Sequence, residues 1–227
     1  MRTKRCEALE YAIDRPALAK MLGFGMFEPL TQLEPKSSPA YVEGLNPRPY
    51  DPGKARKLLA EAGYPHGFAS KLLVQELNRD AGVAIQSYLT AVGISLDLDV
   101  ADIGRYSASV YSPQGWEDLV LTWGGVNPDA SDLFVHWGSR PMTHRYGEIL
   151  KSKEFLAAGE KALHTFDAAG KKQALRQMVR LASQDAMVIP LYRDAMASVM
   201  QPYVHSDYIK IHRQVWRSHE DWLEKQK

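Results

Sequence analysis

Residues 50–77 read YDPGKARKLLAEAGYPHGFASKLLVQEL, and residues 81–100 continue as AGVAIQSYLTAVGISLDLDV. The first block opens as a helix. Asp51 is placed to cap it, and Pro52 suits a first turn that needs no N–H from it. Leu58, Leu59 and Ala62 supply an apolar face, and Gly63 stops the helix. SKLLVQEL (70–77) is then an apolar run of strand length, and AGVAIQSYLTAVG (81–93) returns to helical spacing. In ISLDLDV (94–100), Ile94, Leu96, Leu98 and Val100 alternate with polar residues, the period of a half-buried strand. A helix around IGRYSASVY (103–111) and a strand DLVLTW (118–123) follow. Strands and helices thus alternate, which predicts an α/β layer with parallel pairings.

Upstream, RCEALEYAIDRPALAKMLG (5–23) reads as helix, with Leu9, Ala12 and Ile13 at helical spacing and Arg15-Pro16 starting a second short helix. Residues 28–53 are proline-rich and nearly aperiodic. Leu30, Leu33, Tyr41, Val42 and Leu45 give that loop apolar anchors, and its length makes it a second candidate binding segment. Downstream, helices are expected over 151–168 and 171–186, then strands at MVIPLY (187–192) and MASVM (196–200) joined at Arg193-Asp194. The tail from Pro202 has weak periodicity.

Composition sets the class. The chain has 227 residues, 45% hydrophobic and 24% charged, with a net charge of +1, as expected of a globular protein with a sizeable core. Scattered, matched charges give no sign of a nucleic-acid or anionic-membrane partner. The start lacks the apolar region of a signal peptide, and no apolar run is long enough to span a membrane. The single cysteine, Cys6, excludes an internal disulfide and reads as a small buried hydrophobe.

Catalytic and metal signatures are weak. His205, His212 and His219 recur at even spacing, but no acidic residue completes a metal motif. Gly23 and Gly25 lack the preceding strand and third glycine of a dinucleotide site, and neither a phosphate-binding loop nor a GxSxG nucleophile turn occurs. No cofactor is expected. Asp129 and Asp132 read as acids at a helix N-terminus rather than as an acid/base pair.

The segment 121–139, LTWGGVNPDASDLFVHWGS, stands out. A strand ending in Trp123 breaks into Gly124, Gly125, Val126, Asn127 and Pro128, then Asp129, a sequence that opens a loop. Trp123 either closes the core or forms a cleft wall, because open α/β sheets bind ligands at the carboxyl ends of their strands. Arg79, at another strand end, is either surface or the partner of an anionic ligand group.

Taken in order, ALEYAIDRPALAKMLGFG, the proline-rich loop, YDPGKARKLLAEAGYPHGF, IQSYLTAVGISLDL, WEDLVLTWGGVNPDASDLF and QDAMVIPLYRDAMASVM resemble the second lobe of the family-5 extracellular solute-binding proteins of ABC transporters. The resemblance implies a type II periplasmic-binding-protein-like lobe, a mixed sheet flanked by helices, with residues 1–200 as the lobe and 201–227 as a segment returning to a first lobe. It implies a solute clamped between two lobes (peptide-like, opine, sugar or metal chelate) and delivered to ABC permease subunits, with no ATP site and no enzymatic activity. The expected ligand-binding residues are Trp123, Gly124, Gly125, Val126, Asn127, Asp129 and Arg79. Peptide receptors of the family carry an aspartate three residues after the strand-end Trp to receive the α-ammonium; here that position is Val126. The full-length family is periplasmic or extracellular and membrane-anchored, whereas a chain starting at Met1 would be cytoplasmic. On this reading the chain is a truncated or excised lobe, and its tail is expected to self-associate or to be disordered. The competing expectation is an interaction or scaffold protein that keeps the lobe fold without transport.

Overall fold

The computed structural model describes residues 2–45, 48–111, 115–124, 130–131, 133, 137–138, 149–195, 199–206 and 221–224. Along them run α1 (Arg2–Ala12), α2 (Arg15–Gly23), β1 (Glu28–Pro29), α3 (Pro52–Glu61), β2 (Phe68–Gln75), a 3-10 turn (Glu76–Asn78), α4 (Arg79–Thr90) and β3 (Ile94–Ala101). They continue with α5 (Ile103–Tyr111), β4 (Leu119–Val120), α6 (Lys153–His164), α7 (Ala168–Gln184), β5 (Tyr192–Arg193), β6 (Val204–His205) and β7 (Trp222–Leu223). The chain forms two compact units, residues 1–193 and 194–227.

The capping chemistry sets the helix starts. The Asp51 carboxylate accepts the Lys54 N–H at 2.8 Å, and Asp14, Ser152 and Asp167 cap α2, α6 and α7 in the same way.

β2 is the centre of a three-stranded sheet of order β3-β2-β4, and both its neighbours run parallel to it. The alternation in β2 divides its side chains between two layers. Leu72 and Val74 pack with Ile85 and Leu89 of α4, Ile94 and Leu96 of β3, Ala55 and Leu59 of α3, Leu9 of α1, Leu18 of α2, and Ile13 in the link between those two helices. Leu73 points the other way, with Ala101 and with Tyr106 and Val110 of α5. α4 and α5 therefore cover opposite faces. The chain leaves β2 towards β3 and then crosses back over β2 to β4, so the direction of winding reverses beside β2. Such a reversal opens a crevice at the carboxyl ends of the strands.

A second core cluster joins α6 and α7 (Phe155, Ala162, Leu175, Met178 and Val179) to Ala40, Val42 and Leu133. The proline-rich 28–53 segment is thereby tied down. The Gln32 amide donates to the Val42 carbonyl at 3.1 Å and accepts the Val42 N–H at 3.0 Å.

Several expectations need correction. MVIPLY is not a strand: only Tyr192–Arg193 is, paired antiparallel with Glu28–Pro29. Pro190 has no N–H for a ladder, and its carbonyl is taken by the Arg15 side chain at 2.7 Å. MASVM lies partly outside the described residues, and its Val199 and Met200 are not strand. DLVLTW shortens to Leu119–Val120 because Asp118 has φ +46° and uses its carboxylate, not its backbone, to accept the Lys71 N–H at 2.9 Å. The strand at 70–77 runs instead from Phe68 to Gln75, and Glu76 and Leu77 already turn into the 3-10 segment. Cys6 is half-buried, on the flank of α1 rather than in its core stripe.

In the second unit, β6 and β7 pair antiparallel, Val204 with Leu223 and His205 with Trp222, and the His205 and Trp222 rings stack at 3.8 Å. His212 and His219 lie outside the described residues.

Candidate functional site

All three strands of the parallel sheet end on one edge. The registers set Gln75 beside Ala101 and Leu73 beside Val120, and the Leu121 N–H extends the last ladder to the Leu73 carbonyl at 2.9 Å. Beyond this line emerge Glu76–Asn78 from β2, Asp102 and Ile103 from β3, and Thr122, Trp123 and Gly124 from β4. Residues on three separate stretches of sequence thus meet at the carboxyl edge.

Trp123 does not close the core. Its side chain is 46% exposed, and the residue that fills the core beneath it is Tyr106, which is fully buried. The two rings stack nearly parallel, with centroids 5.7 Å apart and 16° between planes. The Tyr106 hydroxyl donates to the Leu121 carbonyl at 2.8 Å, two residues before Trp123. A buried phenol is normally anchored through its O–H, and here that bond ties α5 to the end of β4.

Electrostatics differ across the edge. On the α5 side the charges are spent on one another. Arg105 grips Asp99 with two bonds of 3.0 and 2.6 Å and donates to the Val100 carbonyl at 2.8 Å. The Arg105 hydrogen bonds hold the Asp99 carboxyl below the usual aspartate range. Asp102 caps α5 by accepting the N–H groups of Gly104 and Arg105 at 2.8 and 3.0 Å, and those N–H groups lower its pKa as well. On the β2 side, Arg79 is the exposed first residue of α4 and makes no ion pair among the described residues.

Of the expected site residues, Trp123, Gly124 and Arg79 are exposed at this edge. Gly125, Val126, Asn127 and Asp129 lie outside the described residues, as does Asp132. Sequence reasoning missed Tyr106 and Ile103. Tyr106 and Val110 fall four residues apart on α5 and share its buried face, a helical signal that was available. Among the described residues no group of three or more His, Cys, Asp or Glu side chains is placed to hold a metal ion, and no helix is long and apolar enough to cross a membrane.

Residues 6–143 match the family described as bacterial extracellular solute-binding proteins, family 5 Middle. The chain belongs to this family, whose members are solute-binding proteins and not enzymes. Among curated relatives it is similar to the glutathione-binding protein GsiB of Escherichia coli K12, with 33% identity over 205 residues, covering 85% of this chain and 39% of that protein. The chain therefore spans about two-fifths of the length of the curated relatives it matches. Its fold is similar to that of the oligopeptide-binding protein AppA of Bacillus subtilis, solved with a nonapeptide (TM-score 0.81, 18% identity, 98% of this chain and 48% of that one). It is also similar to the ABC transporter-associated periplasmic binding protein DppA of Helicobacter pylori, solved with the peptide STSA (TM-score 0.74, 24% identity, 82% and 37%).

Proposed function

We propose that this chain supplies one wall of the solute cleft of an ABC uptake receptor, and that the solute is peptide-like. The observation that carries the reading is the carboxyl edge itself. At the crevice created by the reversal of winding, the partly exposed Trp123 stands on a buried Tyr106 base, beside a glycine whose backbone a ligand can approach closely. Arg79 is suited to a carboxylate of the solute, since its guanidinium can pair with it in a bidentate fashion. Gly125, Val126, Asn127 and Asp129, which follow in sequence, belong to the proposed wall.

Relatives support the solute class: GsiB is a glutathione-binding protein, and the DppA and AppA structures hold peptides. Val126, uncharged where the resemblance places an aspartate, favours a solute that brings no ordinary α-ammonium to that point. Residues 1–200 serve as the lobe and 201–227 as the segment that returns to its partner lobe. The receptor works outside the cytoplasmic membrane, as DppA, a periplasmic binding protein, does.

Native mass spectrometry of the protein from its own cells tests this, followed by calorimetric titration with glutathione and short peptides. A co-purified small molecule of peptide-like composition, displaceable by such peptides, is expected. A protein that carries no small molecule and binds none of them at millimolar concentration contradicts the proposal.

A further inference from the structure

We infer that the solute carries a free α-amino-acid head, an ammonium and a carboxylate on one carbon, and that Glu76 receives the ammonium while Arg79 receives the carboxylate. This rests on the peptide-like solute proposed above and narrows it to peptides linked through a side chain, as γ-glutamyl peptides are.

Glu76 and Arg79 bracket the single 3-10 turn that carries the chain from β2 into α4 at the carboxyl edge. The Arg79 N–H donates to the Glu76 carbonyl and so closes that turn. In a 3-10 turn, side chains three residues apart eclipse one another, so the two side chains leave the same side, about 6 Å apart along the axis. Both residues are exposed, and among the described residues neither side chain makes an ion pair or a hydrogen bond. Opposite charges held one turn apart, each still in water, can close on a small group that bears both signs.

The neighbouring charges are already engaged. Asp99 and Arg105 hold each other, and Asp102 caps α5. Asp80 stands about 100° further round the helix than Arg79. It lies in the first turn of α4, where a carboxylate interacts favourably with the helix N-terminus. Glu76 is therefore the carboxylate that shares a side with the free guanidinium.

The spacing of the pair selects the solute. An extended chain advances about 3.5 Å per residue, so the termini of an ordinary dipeptide lie about 7 Å apart and overreach two side chains rooted one turn from each other. The two charges of an α-amino-acid head leave a single carbon and fit between them. Val126 agrees with this: the position where the family resemblance places a carboxylate for an ordinary α-ammonium carries no charge. Glu76 offers that charge from a different strand end, beside the cation that takes the carboxylate.

Calorimetric titration compares γ-glutamyl-alanine with its isomer α-glutamyl-alanine and with glutaryl-alanine, which lacks only the α-ammonium of the γ-linked compound. Wild type is expected to bind γ-glutamyl-alanine about tenfold more tightly than either, as one charge-assisted contact warrants. Glu76→Gln is expected to lose that preference, binding γ-glutamyl-alanine about tenfold more weakly and the other two within about twofold of wild type. A control, Glu154→Gln, removes an exposed acid on α6 and is expected to change none of the three affinities. Equal wild-type affinities for γ-glutamyl-alanine and glutaryl-alanine, or a Glu76→Gln variant that keeps the preference, overturn this inference and leave the receptor reading intact. So does α-glutamyl-alanine binding as tightly as its γ-linked isomer. Failure of all three to bind a protein that takes other short peptides overturns the inference alone, and failure of these and every other short peptide overturns the peptide-like solute with it.

Discussion

Arg15 donates to the Glu10 carboxylate at 3.1 Å, and each side chain is almost wholly removed from water. The pair is part of a larger knot. Arg15 also donates to the Pro190 and Arg48 carbonyls at 2.7 and 2.8 Å, and Arg48 reaches Glu10, Glu7 and the Ser183 carbonyl. One arginine at the start of α2 therefore fastens the proline-rich segment and the stretch after α7 to the first helix.

Removing Arg15 leaves Arg48 as the counter-charge to the buried Glu10 and strips Glu10 of one of its two hydrogen-bonded cations. Arg15→Met is expected to destabilise the protein by about 3–5 kcal/mol at neutral pH, measured by urea unfolding. Burial already pushes the Glu10 carboxyl above its ordinary 4.5, against the pull of Arg48 and Arg15. A raised folded pKa means that the group favours folding most below the ordinary value and loses that advantage as pH rises through the folded one. Loss of Arg15 raises Glu10 further, so the penalty should grow with increasing pH above 4.5. A penalty that is constant or shrinks with pH would show that Glu10 is not the affected charge.

Gly67 and Gly93 pass each other at the start of β2 and β3, and both have positive φ, +79° and +96°. A Cβ on Gly67 would lie 1.7 Å from the Gly93 carbonyl oxygen, whereas a Cβ on Gly93 meets nothing closer than 3.6 Å. Gly93→Ala should cost only the strain of a left-handed alanine, about 1–2 kcal/mol. Gly67→Ala must also displace backbone, and its Tm should fall well below that of Gly93→Ala. Equal Tm values would contradict the close approach.

The Asp99–Arg105 bridge sits on the surface, so its contribution to stability is small. Arg105 lowers the Asp99 pKa below the ordinary 3.8. A lowered folded pKa stabilises above the unfolded value and is lost as pH falls through the folded one. In Arg105→Ala, carboxyl-carbon NMR should show Asp99 titrating higher, back towards 3.8, with a slightly weaker acid dependence of stability. An unmoved Asp99 titration would place its stabilisation elsewhere.

Much of this architecture was legible locally. The alternation of Ile94, Leu96, Leu98 and Val100 and the Asp51-Pro52 start are short-range patterns, and they became β3 and α3, with the parallel pairing the order of elements implied. The failures have tertiary causes. The apolar run 187–191 looked like a strand, but Pro190 and the reach of Arg15 from 175 residues away withdraw its backbone from any ladder. Trp123 was readable as a strand-end residue; that it lies outside Tyr106 rather than inside the core depends on α5 crossing back over β2. Nothing local to Ile103 announces that it shares the edge with Trp123.

The central claim is that the carboxyl edge binds the solute through Trp123. Calorimetric titration of the co-purified solute, or of the tightest-binding short peptide, into wild type and Trp123→Ala tests it most directly. Loss of the stacking face should raise Kd about tenfold or more, with the fold retained by circular dichroism. An unchanged Kd in the folded variant would contradict the account and move the site away from this edge.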